Sequence, residues 1–87
     1  MVLSNLIIHD LRIEDNYLHN LRTGQKKVEI RLNDRDYQVG DILLFSKYHS
    51  HNPDEHCRFE ITHIHSGLGM SFNYVALSVR QLKEGEA

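Results

Sequence analysis

The segment Gly24-Gln25-Lys26-Lys27-Val28-Glu29-Ile30-Arg31 is where residue type and spacing point most directly to chemistry. Gly24 lets the chain turn sharply, Lys26 leaves at the mouth of the strand that follows, and Glu29 and Arg31 share one strand face at a spacing of two. Three charged groups therefore converge near one edge. Glu29 can accept amino protons from a ligand, the planar fork of Arg31 can grip phosphate or carbonyl oxygens, and Lys26 supplies a mobile positive charge. Such a set suits a polar nucleobase-like or phosphate-bearing ligand. The plain alternative is a solvent-facing charged strand whose ion pairs contribute about 0 to 1 kcal/mol each. The spacing alone leaves both readings open.

These side chains need elements to hold them. Leu6, Ile7 and Ile8, ending at His9, predict a short first strand. The period then changes: Ile13, Tyr17, Leu18 and Leu21 recur every three or four residues, with Glu14 and Asp15 placing negative charge at the start of a helix. Thr23 and Gly24 end it, glycine being the natural residue for the left-handed position after a helix. Val28, Ile30 and Leu32 then alternate with Lys27, Glu29 and Arg31, which predicts a strand burying the first set and projecting the second. After the turns at Asn33-Asp34-Arg35-Asp36 and Val39-Gly40-Asp41, the unbroken run Ile42 to Phe45 reads as a strand buried on both faces at the centre of a barrel. Residues 49 to 55, with Pro53, read as an exposed loop. Cys57, Phe59 and Ile61 begin one more strand, and Val75, Leu77 and Val79 follow in another after Gly67 and Gly69. The polar tail, residues 83 to 87, is expected to fray. One helix after the first strand, then short strands in succession, predicts an α+β domain built on a closed or nearly closed mixed β-barrel of about five strands.

Other residues have both a chemical and a plain reading. Tyr48 and Tyr74 can stack on a base or pack with their hydroxyls at the rim. Asn33, Asp34 and Arg35 read as a tight turn fixed by side-chain bonds and as the lip of a cleft to which Arg35 adds positive charge, and the two readings are compatible. His9, at the end of the first strand, either reaches that cleft or makes a structural hydrogen bond. His49, His51, His56 and Cys57 are capable of binding a metal, but their spacing matches no zinc signature, so no metal is expected. Cys57 alternates with Phe59 and Ile61 and reads as a small buried hydrophobe. His63 continues that inward face, and both it and His65 read as hydrogen-bonded rim histidines.

A chain of 87 residues with 40% apolar and 25% charged residues has the composition of one globular domain. A lone cysteine forms no internal disulfide, and apolar runs such as Ile42 to Phe45 fall far short of the roughly 20 residues that span a bilayer. The expectation is a cytoplasmic protein without a membrane anchor or cofactor. The net charge of −2 argues against a protein that coats nucleic acid by bulk attraction, yet Arg22 to Arg35 holds five basic and two acidic residues, a local +3 that leaves −5 elsewhere. A local basic patch fits a small anionic ligand or a short stretch of nucleic acid.

Five segments together resemble the ASCH domain family of the PUA-like superfamily, in particular a small, functionally uncharacterised branch from bacteria and phages. They are His9-Asp10-Leu11-Arg12-Ile13, the G-x-K-x-x-E-x-R stretch from Gly24 to Arg31, Asn33-Asp34-Arg35-Asp36-Tyr37, Val39-Gly40-Asp41-Ile42-Leu43, and Tyr74-Val75-Ala76-Leu77-Ser78. The resemblance covers roughly residues 6 to 80. It implies a PUA-like barrel with a cleft beside Lys26, Glu29 and Arg31, binding single-stranded RNA or a nucleotide-like small molecule. Small ASCH amidohydrolases that deacylate modified cytidine are similar around the same strand, and they use a threonine nucleophile with the motif lysine. Lys26 matches that lysine, but Glu29 stands at the threonine position. A carboxylate cannot form the same ester intermediate, although it can activate water. Lys26 and Glu29 are thus the catalytic candidates of the hydrolytic alternative, and a protein-interaction module is the third reading.

Overall fold

The computed structural model describes residues 7–47, 57–83 and 85–86. In chain order the elements are β1 (Ile8–Ile13), α1 (Asp15–Thr23), β2 (Val28–Leu32), β3 (Ile42–Lys47), β4 (Cys57–His65) and β5 (Tyr74–Gln81). The strands form one mixed sheet in the order β1-β3-β4-β5-β2. β1 runs parallel to β3, and every other neighbouring pair is antiparallel. β4 therefore occupies the centre expected for the Ile42 to Phe45 strand, and β1 and β2 are the two edges.

The sheet curls. In a flat sheet its edges would lie four strand spacings of about 4.8 Å apart, far beyond the reach of one side chain. Yet the Arg31 guanidinium on β2 donates from Nη2 to the Arg12 carbonyl on β1 at 2.8 Å. The ladder explains why that carbonyl is available. Ile42 N–H bonds to the Ile7 carbonyl, so the odd-numbered residues of β1 serve the ladder to β3, while the carbonyls of Ile8, Asp10 and Arg12 point to the free edge. The domain is thus a half-barrel with one helix after its first strand.

The helix keeps its expected place. Leu18 and Leu21 are buried, and Gly24 ends it at φ 84°. These leucines join Leu11, Ile13, Leu43, Phe45, Phe59, Ile61, Val75 and Leu77 in one core, where Phe45 and Phe59 meet edge to face at 5.7 Å. Ile13 is the last residue of β1 rather than the first of the helical stripe, and Tyr17 is half exposed. The first strand begins at Ile8 and runs past His9, because the alternation of His9, Leu11 and Ile13 puts three consecutive inward positions in the core.

Two faces differ from the sequence pattern. In β2 the charged residue Glu29 is 5% exposed, whereas Ile30 and Leu32 are 49% and 46% exposed. Glu29 and Arg31 pair opposite the buried Leu77 and Val75, so the strand's charged set faces inward and its apolar set outward. In β4 the register slips between Ile61 and His63, which turns His63 outward and brings Ile64 against the core. A β-bulge reverses side-chain facing in this way. The tail is also tied down where it is described: Glu86 accepts from Lys83 N–H at 2.7 Å and pairs with Arg80 at 3.2 Å.

A second polar cluster fastens β1 to the turn before β3. His9 donates from Nε2 to Asp41 Oδ2 at 2.8 Å, and that oxygen also takes Gln38 N–H at 3.0 Å. Both side chains are buried, and the His9 ring leans on Tyr37 with centroids 4.7 Å apart. Among the described residues no helix is long and apolar enough to cross a membrane. Replacing Asp41 by Ala strips the partner from a buried histidine and an amide, so unfolding free energy should fall by about 1–3 kcal/mol. Urea titration tests this against Asp34→Ala at an exposed pair, where the loss should stay below about 1 kcal/mol. Equal losses at the two positions would contradict the fastening role of Asp41.

Candidate functional site

The site begins at the helix end. Lys26 N–H bonds back to the Asn20 carbonyl at 2.9 Å, which fixes where the lysine leaves the helix before β2 starts. Its ammonium lies 3.5 Å from Glu29 Oε1 and 5.6 Å from the centre of the Tyr17 ring. Arg31 approaches Glu29 from the other side, donating Nε–H to Oε2 at 2.9 Å, and its guanidinium lies over the Phe45 ring at 5.5 Å. A buried carboxylate is costly unless paired, and here one cation flanks each of its oxygens. That pairing is what allows Glu29 to face the core.

These groups line an open hollow of about 510 Å³ between the two sheet edges. Arg12, Glu14 and Tyr17 form the side nearer β1 and the helix, while Lys26, Glu29, Arg31 and Tyr74 form the side nearer β2 and β5. Among the described residues, formal charges in the lining are three positive and two negative, a surplus of one. The contact between Lys26 and Glu29 is long, so the ammonium keeps donors for a ligand. Among the described residues no acceptor takes the Nη1 protons of Arg31. Among the described residues the lining contains two phenols but no serine, threonine or cysteine.

Four of the residues singled out from sequence meet here: Lys26, Glu29, Arg31 and Tyr74. Asn33 and Arg35 do not line the hollow; Asn33 N–H bonds to the Asn73 carbonyl at 2.6 Å, and Arg35 is an exposed partner of Asp34 at 3.9 Å. His9 faces Asp41 and Tyr37 rather than the hollow. Tyr48, His49, His51 and His56 lie outside the described residues. Cys57 is buried, as its alternation with Phe59 and Ile61 requires. His65 donates from Nε2 to the Leu68 carbonyl at 2.7 Å. Among the described residues no three histidines, cysteines or carboxylates are grouped to hold a metal.

Sequence reasoning missed Arg12, Glu14, Tyr17 and Tyr37. Tyr17 carried a legible signal, because an aromatic at helical spacing beside a lysine-bearing helix end is within cation–π reach. The role of Arg12 lies in its carbonyl, to which side-chain pattern is blind. Tyr37 is buried, and that burial raises its phenol above the ordinary 10.0, while the charges of Arg31 and Arg35 pull it the other way.

The family model described as a domain of unknown function, DUF3850, matches residues 8–79. The match spans most of the chain, which therefore belongs to that family. No curated protein matches it.

The raised Tyr37 phenol sets a pH dependence. Its neutral form is the one the fold accommodates, so its contribution to stability is complete below the unfolded tyrosine value near 10 and is lost as pH rises through the higher folded value. In a phenolate absorbance titration, the ionisation present in the wild type and missing from Tyr37→Phe should lie above the ordinary tyrosine value. Arg31→Met should delay it further, because a stabilising positive charge is gone. Ionisation of Tyr37 at the ordinary value would contradict this assignment.

Proposed function

We propose that this member of the DUF3850 family is a PUA-like module of the ASCH type that binds single-stranded RNA or a nucleotide-derived small molecule in the hollow between its sheet edges. The observation that carries the reading is the buried Glu29 flanked by Lys26 and Arg31, in a hollow also lined by Tyr17 and Tyr74. A base has a flat π-face for the phenol rings, an exocyclic amine for Glu29 Oε1, and oxygens for Lys26 and the uncommitted end of Arg31. The surplus of one positive charge in the lining supports attraction to a phosphate that salt weakens. The resemblance of the sequence to ASCH-type domains supports the same ligand class.

Binding is favoured over hydrolysis by the lining itself. An acyl-enzyme route needs a hydroxyl or thiol nucleophile beside its base, and the described residues of the hollow offer two phenols and no aliphatic hydroxyl or thiol. Glu29 already accepts from Arg31 at 2.9 Å, which suits a group that orients a guanidinium more than one that must take up a proton. In this reading Lys26, Arg31 and Tyr74 contact the ligand, and Glu29 positions Arg31 while offering its second oxygen to an amine.

Titration of the protein with a mixed-sequence single-stranded RNA pool and with nucleoside monophosphates, followed by amide chemical shifts, tests the proposal. Two or three phosphate contacts predict a log–log salt slope of about −1.4 to −2.1 for RNA, and Lys26→Met should lower its magnitude by about 0.7. Tyr74→Ala should weaken binding by about 1–3 kcal/mol if a base stacks there. Saturation that ignores both substitutions, or no shift with either class of probe at low salt, would overturn the assignment of this hollow. Incubation with acylated cytidines and chromatography of the products should show no turnover.

A further inference from the structure

Residues 66 to 79 contain no Asp, Glu, Lys or Arg, in a chain where 25% of residues carry such charges. The fold gathers part of this stretch with the outward side of β2. Tyr74 and Ala76 on β5 stand opposite Leu32 and Ile30 on β2, and directly opposed residues share a sheet face. Ile30 and Leu32 are half exposed there because the charged alternates of β2 took the inward positions. The connection before β5 adds Leu68 and Phe72, which are 91% and 90% exposed. Next to them a hollow of about 390 Å³ opens between Ile30, Gly69, Met70, Ser71 and Tyr74.

We propose that this face is the contact of a two-fold symmetric dimer, in which Phe72 of each copy enters the hollow between Ile30, Met70 and Tyr74 of the other. An aromatic ring left 90% exposed beside Ser71 and two residues before Tyr74, both of which line the hollow, gives each copy a knob and a hole, as an isologous contact requires. Size agrees with this. Leu68 and Phe72 nearly whole, with about half of Ile30, Leu32 and Tyr74, offer on the order of 600 Å² of apolar surface, at the upper end of the patches a monomer carries. With the polar atoms between them, the face approaches the roughly 800 Å² per partner of a standard interface.

Charge selects a second copy over other occupants. A nucleic acid would need lysines or arginines along its path, and the stretch from 66 to 79 has none. A strongly charged protein surface would meet no complement there. Two copies can meet there through Ile30, Leu32 and a stretch that carries no Asp, Glu, Lys or Arg, and homodimer contacts are the more apolar class of interface. Ile30 and Tyr74 also line the larger hollow, so that hollow borders the contact. The proposal stands whether or not that hollow binds a nucleotide.

Sedimentation equilibrium of the full chain over a concentration series tests it. The weight-average mass should rise from 10.2 kDa toward twice that value and be little affected by salt. Phe72→Ser and Ile30→Thr should each raise the dimer dissociation constant about tenfold or more, as loss of a central anchor does. Val39→Ser, at a 62% exposed residue outside the face, should leave it unchanged. Phe72 touches little of its own chain, so the variant should keep the wild-type melting temperature. A monomer at every concentration, a dimer indifferent to both substitutions, or growth beyond the dimer would each overturn the proposal.

Discussion

The contact between Arg31 and the Arg12 carbonyl constrains much of the rest of this molecule. Among the described residues the five-stranded sheet ends at β1 and β2 with no further strand paired to either, and curling brings those edges near each other without letting them form a ladder. A guanidinium is well suited to the remaining gap, because its planar fork can donate in two directions at once. One direction meets the β1 carbonyl at 2.8 Å and the other meets Glu29 at 2.9 Å. The head must also lie on the inner side of the curl, where the Phe45 ring supports it.

From that placement the burial of Glu29 follows. A guanidinium held at the mouth of an apolar core needs a counter-charge, and residue i−2 on the same strand face is the nearest position that can supply it. Lys26 then shares the carboxylate from the helix side, and the hollow takes its polar wall from these three groups. The same choice has a cost on the outer surface. Because strand side chains alternate, turning Glu29 and Arg31 inward turns Ile30 and Leu32 outward. The polar hollow and the apolar outer face are two consequences of one facing decision.

The His9–Asp41 pair occupies a different part of the fold and performs a different task. It joins β1 to the turn that launches β3, and it satisfies a buried imidazole and a turn amide together. Tyr37 lies between the two polar groups of the interior: its ring contacts His9, and its phenol feels the charges of Arg31 and Glu29. The half-barrel interior is therefore apolar through its middle, where Leu43, Phe45, Phe59, Ile61 and Leu77 are essentially inaccessible, and polar toward its margins.

By itself the sequence determined the helix from its three- and four-residue spacing, its end at Gly24, and the existence of β2, β3, β4 and β5 from local alternation and turn residues. It also brought Lys26, Glu29 and Arg31 to notice, because charge type and spacing are local properties. Which way β2 faces was not legible. Alternation states that two sets of side chains separate, and hydrophobicity then nominates the apolar set for the core, but an unclosed edge rewards an arginine that can bridge it more than one further isoleucine. The outward turn of His63 was hidden for a related reason, since a register slip depends on how β4 meets β5 and leaves no mark on residue type. Arg35, Asn33 and His9 were drawn toward the site by proximity in sequence or by resemblance, whereas the curl of the sheet sends His9 to Asp41 and leaves the turn residues outside the hollow. Local chemistry chose the elements and the charged trio. Only the closure of β1 toward β2 decided which face of that trio's strand became the interior.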